Sequence, residues 1–177
     1  MPKSAVPNFF TLSNLAFGVL SLMMTIQQNY KLACVFILIA GFIDRYDGRI
    51  ARFLKVSSDL GKELDSLADL VSFGVAPSIL VGCIFNFTSL GIIGYLLIAI
   101  FPVTGAYRLA RYNSTTFDHV FIGIPITVAG AFLAFYSLIY LSYNPNFVSF
   151  NTDSAVVLGL IVILSFLMVS KFKIKKV

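Results

Sequence analysis

Four aspartates, Asp44, Asp47, Asp65 and Asp69, stand in the spacing D-x2-D-G-x2-A-R-x8-G-x3-D-x3-D. Six of the eight acidic residues of the chain fall between positions 44 and 69. Clustered carboxylates are hard oxygen donors, suited to a divalent cation such as Mg or Mn, held singly or as a pair bridging a phosphate. At ~100° per residue a helix sets Asp44 and Asp47 about 60° apart and Asp65 and Asp69 about 40° apart, so each pair shares one face. The intervening stretch from Arg52 to Leu60 contains Lys55, Ser57, Ser58 and Asp59 and can reverse the chain. Two helix ends can therefore present their pairs to each other.

The rest of that window suits a ligand bearing phosphate. Gly48 leaves no side chain beside Asp47, so a planar or charged group can approach the helix backbone. Ala51, one turn further on, keeps the same face shallow, while Arg49 and Arg52 carry fork-shaped donors that match phosphate oxygens. A solvated loop whose aspartates and arginines neutralise one another would explain a single Asp pair. Two pairs combined with Gly, Ala and Arg in one window favour the metal and phosphate reading.

The elements that must position these carboxylates are apolar. Hydrophobic residues make up 58 % of the 177-residue chain and charged residues 12 %, where soluble domains carry about 25 % charged residues. The composition predicts an all-α integral membrane protein, a single domain over residues 1–177. A hydrocarbon core of roughly 30 Å needs about 20 apolar residues per helical crossing. Apolar stretches near 9–27, 31–54, 64–86, 90–107, 122–142 and 154–170 predict six transmembrane helices. Turn-forming residues separate them at Gln27-Gln28-Asn29-Tyr30, at Asn86-Phe87-Thr88, from Asn113 to His119 and from Ser142 to Asp153. With six crossings, twelve of the thirteen Lys and Arg residues fall on one side and Lys31 falls opposite. The positive-inside bias then places both termini and the aspartates on the cytoplasmic side. A net charge of +5 describes a face for anionic headgroups and no nucleic-acid binder. Each Asp at the centre of a spanning helix costs ~2.5 to 3.5 kcal/mol, so four at or near that depth call for a compensating cation.

Other candidates have simpler readings. The first apolar run is interrupted by Asn14 and followed by Gln27-Gln28-Asn29, so it is expected to remain a membrane helix and not a cleaved signal. Cys34 and Cys83 stand in no metal or redox spacing, and His119 stands by itself in a loop; packing and solvation account for all three. Pro7, Thr11 and Asn14 are expected either to rim a lateral lipid groove, with Lys3 near phosphate, or to cap the first helix. Gly18, Gly41, Gly74, Gly91, Gly94, Gly105 and Gly130 permit close helix approach.

The stretch Asp44-Arg45-Tyr46-Asp47-Gly48-Arg49-Ile50-Ala51-Arg52, followed by Gly61, Asp65 and Asp69, resembles the signature of the CDP-alcohol phosphotransferases at every fixed position. The resemblance runs over nearly the whole chain. Within that family the surroundings are most similar to the integral-membrane phosphatidylserine synthases: the segment from Val6 to Asn14, the strip from Glu63 to Pro77, Tyr107 to Asn113, and Phe121 to Pro125. Ser66 stands after the third aspartate, where phosphatidylglycerophosphate synthases usually have proline. Arg45-Tyr46 is bulky for the position between the first two aspartates.

This resemblance implies a six-helix enzyme of the cell membrane, usually a homodimer, with its active site facing the cytoplasm. It implies transfer of a phosphatidyl group from CDP-diacylglycerol to the hydroxyl of L-serine, giving phosphatidylserine and CMP. A divalent metal, Mg or Mn, would be held by Asp44, Asp47, Asp65 and Asp69, with Asp69 also acting as general base. Asp44, Gly48, Arg52 and Ser58 match the positions that hold the CDP portion of the donor. The strip from Ser66 to Pro77 and the segment from Tyr107 to Asn113 are left to shape the acceptor pocket. Arg108 and Arg111, on one helix face, are candidates for the serine carboxylate, and snorkelling to headgroups explains them equally. Glycerol 3-phosphate or inositol as acceptor, and an archaeal CDP-linked ether lipid as donor, are alternatives within the same chemistry. A divalent-cation transporter is the alternative from another class, and the crowding of the carboxylates at one end of the bundle speaks against it.

Overall fold

The first helix, α1 (Ala5–Ile26), turns its polar side inward. Thr11, Asn14, Ser21 and Thr25 are buried, with Gly18 between them, and their three- and four-residue steps draw one stripe along the helix. Phe9, Leu12, Val19, Leu20, Met23 and Ile26 are exposed. A water-soluble helix does the reverse. Where the outer solvent is hydrocarbon, small and polar residues turn to neighbouring helices, which satisfy them.

The computed structural model describes residues 5–54, 59–114, 121–144, 152–170 and 173–174. After α1, helix α2 (Tyr30–Leu54) returns along it; α3 (Asp59–Asp69) continues through a π-helical turn, Leu70–Val75, into α4 (Ala76–Ile84). A 3-10 turn, Phe87–Leu90, leads to α5 (Ile92–Ser114), followed by β1 (Phe121–Ile122), α6 (Ile126–Tyr143), α7 (Thr152–Val169) and β2 (Lys173–Ile174). Six helical rods thus occupy the six apolar stretches. Two boundaries differ from expectation in ways that matter to the site. The third rod begins at Asp59, ahead of position 64, and α5 runs on to Ser114, past position 107, so Arg108 and Arg111 lie on a helix as expected and Asn113 lies on it too.

Four helices, Asn8–Ile26, Asp59–Ile84, Ile92–Ser114 and Ile126–Tyr143, are long and apolar enough to cross a membrane, and Asp153–Val169 is apolar but shorter. Helix α2 spans 25 residues and carries Lys31 near its start and Asp44, Arg45, Asp47, Arg49 and Arg52 in its second half. The protein is a multi-pass membrane protein. Its central rod is Asp59–Ile84: 67 % of its apolar stretch is buried, against 28 % for α1 and α5.

Proline chemistry shapes that rod. Pro77 has no N–H, and its ring displaces the carbonyl four residues back, that of Phe73. The helix widens there, and the Ala76 N–H bonds instead to Val71 O, five residues back. Phe73 O lies against the Cα of Gly130 on α6, while Ser72 donates to Asn14 O at 3.0 Å, beside Gly18 of α1. Pro102 in α5 likewise deprives the Ile98 carbonyl of its helical donor. The Ser78 hydroxyl of α4 donates to that carbonyl, joining the two helices at the point of weakness.

At the end of the bundle where α5 finishes, the α5–α6 connection is tied to the end of α7. β1 pairs antiparallel with β2, Phe121 opposite Ile174 and Ile122 opposite Lys173. The Ile124 N–H bonds to Leu167 O at 3.3 Å. Gly123, at φ 73°, packs against the Leu167 and Met168 carbonyls, where a side chain would collide. Helix α6 therefore starts from a fixed point.

The Gly130 contact is testable. In an open helix position Gly→Ala gains up to ~1 kcal/mol of helix propensity, and Gly159 on α7, with nothing within 4 Å of an added Cβ, is such a place. At Gly130 the added carbon would meet the Phe73 carbonyl and come 2.7 Å from its Cα, so overpacking should win by about 1 to 3 kcal/mol. Gly130→Ala should lower the melting temperature of detergent-solubilised protein, and Gly159→Ala should leave it unchanged or raise it.

Candidate active site

Helix α2 delivers Asp44, and α3 delivers Asp65 and Asp69, to one place: a carboxylate oxygen from each lies within 4.8 Å of the others. Asp44 and Asp65 are half-buried and Asp69 is 8 % exposed. Each pair of unit negative charges at such separations repels by on the order of 4 kcal/mol at an effective dielectric constant of ~20. The donor set is all-oxygen and anionic, and a hard divalent cation fits it. An ion among the three would turn mutual repulsion into shared attraction.

Neutral donors and a buried cation lie beside the cluster, and Lys62 lines the adjoining cavity. Asn14 Nδ2 of α1 donates to Asp69 Oδ1 at 3.3 Å, and Thr127 Oγ1 of α6 donates to Asp69 Oδ2 at 3.4 Å. Asp44 faces both Asp69 and the Thr127 hydroxyl. Arg108 of α5, 7 % exposed, lies in the field of Asp69, and its Nε has no hydrogen-bond partner among the described residues. Beside the cluster a cavity of about 330 Å³ opens between α3, α5 and the start of α6, lined by Asp65, Ser66, Asp69, Arg108, Asn113 and Thr127 among others. Asn113 Nδ2 donates to Ser66 Oγ at 2.9 Å and to Glu63 Oε1 at 3.2 Å, tying α5 to α3 at the edge of this cavity.

The structure thus brings together Asp44, Asp65, Asp69 and Arg108. Asp47, Gly48 and Arg52 lie on α2, but their side chains are outside those described; Ser58, Lys3, Lys55 and His119 lie outside the described residues. Arg111 does not share the cavity. It donates through Nη1 to Val169 O at 3.0 Å, placing a cation on the C-terminal carbonyls of α7. Cys34 is buried and Cys83 exposed, both as free thiols.

One expectation is corrected. Thr11 and Asn14 cap nothing, because α1 begins at Ala5 and both lie in its interior. Asn14 is instead a buried donor to Asp69. Thr127 carried no sequence signal at all: a threonine two residues after a proline at a helix start is unremarkable until the fold sets it opposite an aspartate 58 positions away.

The profile of the CDP-alcohol phosphatidyltransferase family matches residues 4–170. The chain belongs to that family. As a family member it is 38 % identical over 179 residues to the CDP-diacylglycerol–serine O-phosphatidyltransferase of Helicobacter pylori (strain J99), covering 97 % of this chain and 72 % of that relative. It is 38 % identical over 169 residues to the enzyme of the same name from Bacillus subtilis (strain 168), covering 95 % and 88 %. It is also similar to the archaetidylserine synthase of Methanothermobacter thermautotrophicus, at 34 % over 139 residues, covering 76 % and 58 %. CDP-alcohol phosphatidyltransferases are generally dependent on a divalent metal, and the Asp44, Asp65 and Asp69 cluster could hold one.

If these oxygens hold an ion, removing one charge must weaken it. Asp65→Asn and Asp44→Asn should each lower the affinity of solubilised protein for Mn²⁺ by about tenfold or more, read as free Mn²⁺ by electron paramagnetic resonance.

Proposed function

We propose that the protein transfers a phosphatidyl group from CDP-diacylglycerol to the hydroxyl of L-serine, giving phosphatidylserine and CMP in phospholipid biosynthesis. The observation that carries this reading is one cavity in which Asp65 and Asp69 meet a buried guanidinium, Arg108. L-serine is a small zwitterion with a single carboxylate. Arg108, a buried cation on the wall of this cavity, matches that charge, and Asp69 on the same wall is within reach of the hydroxyl. The relatives from Helicobacter pylori and Bacillus subtilis bear the same activity in their names. The archaeal relative also carries serine in its name and differs in the lipid.

In this reading Asp69 takes the proton of the serine hydroxyl as its oxygen bonds to the phosphatidyl phosphorus. The bond from that phosphorus to CMP breaks, and CMP leaves with the electron pair. Arg108 holds the carboxylate, so the hydroxyl arrives in a fixed direction. Asp44, Asp65 and Asp69, with Asp47, would hold Mg or Mn, which when bound would supply charge neutralisation at the pyrophosphate and ease the departure of CMP. Gly48, Arg52 and Ser58, with Asp44, serve the CDP portion of the donor.

The same reading sets all six rods across the cell membrane, with both termini and the active site cytoplasmic. Its support is the even number of rods and the twelve of thirteen Lys and Arg residues that this topology gathers on one side. A homodimer belongs to it through the family resemblance.

Purified protein given CDP-diacylglycerol, Mg or Mn, and a panel of alcohols should release CMP with L-serine and not with glycerol 3-phosphate or inositol. Release with either of those alone would move the acceptor assignment, and silence with every alcohol and metal would end the enzyme reading. Asp69→Asn should abolish turnover while CDP-diacylglycerol still binds.

The two arginines should part company. A hydrogen bond to a charged group contributes about 1.5 to 3 kcal/mol, so Arg108→Gln should raise the KM for serine by roughly 10- to 100-fold. Arg111→Gln, which frees the end of α7, should lower the melting temperature and leave that KM near wild type.

A further inference from the structure

We propose that Thr127 is a positioning residue for Asp69: its hydroxyl, acting with the amide of Asn14, fixes the plane of the Asp69 carboxylate and aims one oxygen into the acceptor cavity. This rests on the phosphatidyl-transfer reading above. The terminal torsion of an aspartate is broad and roughly two-fold, so a carboxylate held at one oxygen still swings. Here both oxygens are held, and from two different helices, α1 and α6. Asn14, 55 positions upstream, donates to Oδ1, and Thr127, 58 positions downstream, donates to Oδ2.

Asn14 is 0 % exposed, and its own Oδ1 has no partner among the described residues. An unsatisfied buried acceptor costs about 1 to 3 kcal/mol, which an apolar residue of similar size would avoid. The amide is therefore oriented by the carboxylate it serves. Thr127 differs in one respect: it lines the cavity with Asp69 and Arg108, whereas Asn14 stands behind the carboxylate in the protein. Its backbone is anchored as well. The segment before it is bound through Ile124 to Leu167 O and pressed at Gly123 against the α7 carbonyls.

With its plane fixed by Asn14 and Thr127, Asp69 presents its carboxylate on the wall of the cavity where the serine hydroxyl must lie. Thr127 keeps its own proton throughout; it determines where Asp69 receives one. Thr127 also faces Asp44, so a role in holding the ion is the competing explanation.

The test compares Thr127→Val, which keeps the branched shape and removes the hydroxyl, with Thr127→Ser, which keeps the hydroxyl and removes the methyl. Both are made in the full chain, purified in detergent, and assayed for CMP release across serine concentrations and for Mn²⁺ affinity by electron paramagnetic resonance. Thr127→Val should lose about 10- to 100-fold in kcat, with the KM for serine and the Mn²⁺ affinity unchanged, and Thr127→Ser should recover most of the rate. Thr127→Ala supplies a second hydroxyl-free variant should valine not fold, with the same loss expected. Wild-type kcat in Thr127→Val, equal impairment in Thr127→Ser, or a parallel loss of Mn²⁺ affinity would each overturn the inference. A wild type that releases no CMP with serine sinks the phosphatidyl-transfer reading and this inference with it; an active wild type beside an equally fast valine variant sinks the inference alone.

Discussion

Three negative charges within 4.8 Å of one another, walled partly from water, set the terms for the rest of this bundle. Left alone they would push α2 and α3 apart. What opposes that push is packing elsewhere: the central rod is held by α1, α5 and α6 along its length, and its buried Phe73, Leu80 and Ala76 are locked into the apolar core. With all three ionised the bundle holds a local repulsion that a cation would relieve, and an ion held there would stabilise the folded chain by mass action. The same repulsion explains the neighbours. Asn14 and Thr127 supply hydrogen-bond donors without a full charge, so they orient Asp69 without neutralising the pocket. Arg108 brings a full charge, on the wall of a cavity of about 330 Å³ that Asp65 and Asp69 also line.

The inside-out polarity of α1 serves both ends of this problem. Its stripe of small and polar residues lets the π turn of the central rod approach closely at Gly18 and Ser72. That approach is what carries Asn14 to Asp69, one turn of chain away from Ser72. Packing and site are here the same contact, because Ser72 bonds to the backbone of the very residue whose side chain reaches the aspartate.

Much of this was legible in the sequence, for definable reasons. The rods could be read because apolar runs of membrane length are bounded by Gln, Asn, Pro and Gly, and because charge asymmetry constrains their number. The pairing of Asp65 with Asp69 on one face follows from helical periodicity alone, and the meeting with Asp44 follows from the closeness in sequence of α2 and α3. Thr127 and the role of Asn14 could not be read. Each depends on contacts across more than fifty positions; Asn14 stands out as a polar break in an apolar run, but nothing local names its partner, and Thr127 does not break the pattern around it at all. Arg108 and Arg111 looked equivalent at three residues apart; the fold separates them because α7 ends beside one and the cavity opens beside the other. The widened turn at Leu70–Val75 announces itself only in retrospect, through Gly74 and Pro77.

The hydroxyl of Ser78 resting on the carbonyl orphaned by Pro102 has a longer reach than its one bond suggests. Neither residue makes sense without the other: the proline leaves an acceptor stranded in hydrocarbon, and the serine would otherwise be a polar group in an apolar wall. Replacing the serine alone would leave that carbonyl short of a donor, whereas replacing the proline would return a backbone N–H to it, so the two changes are unequal in cost and the cost depends on which comes first.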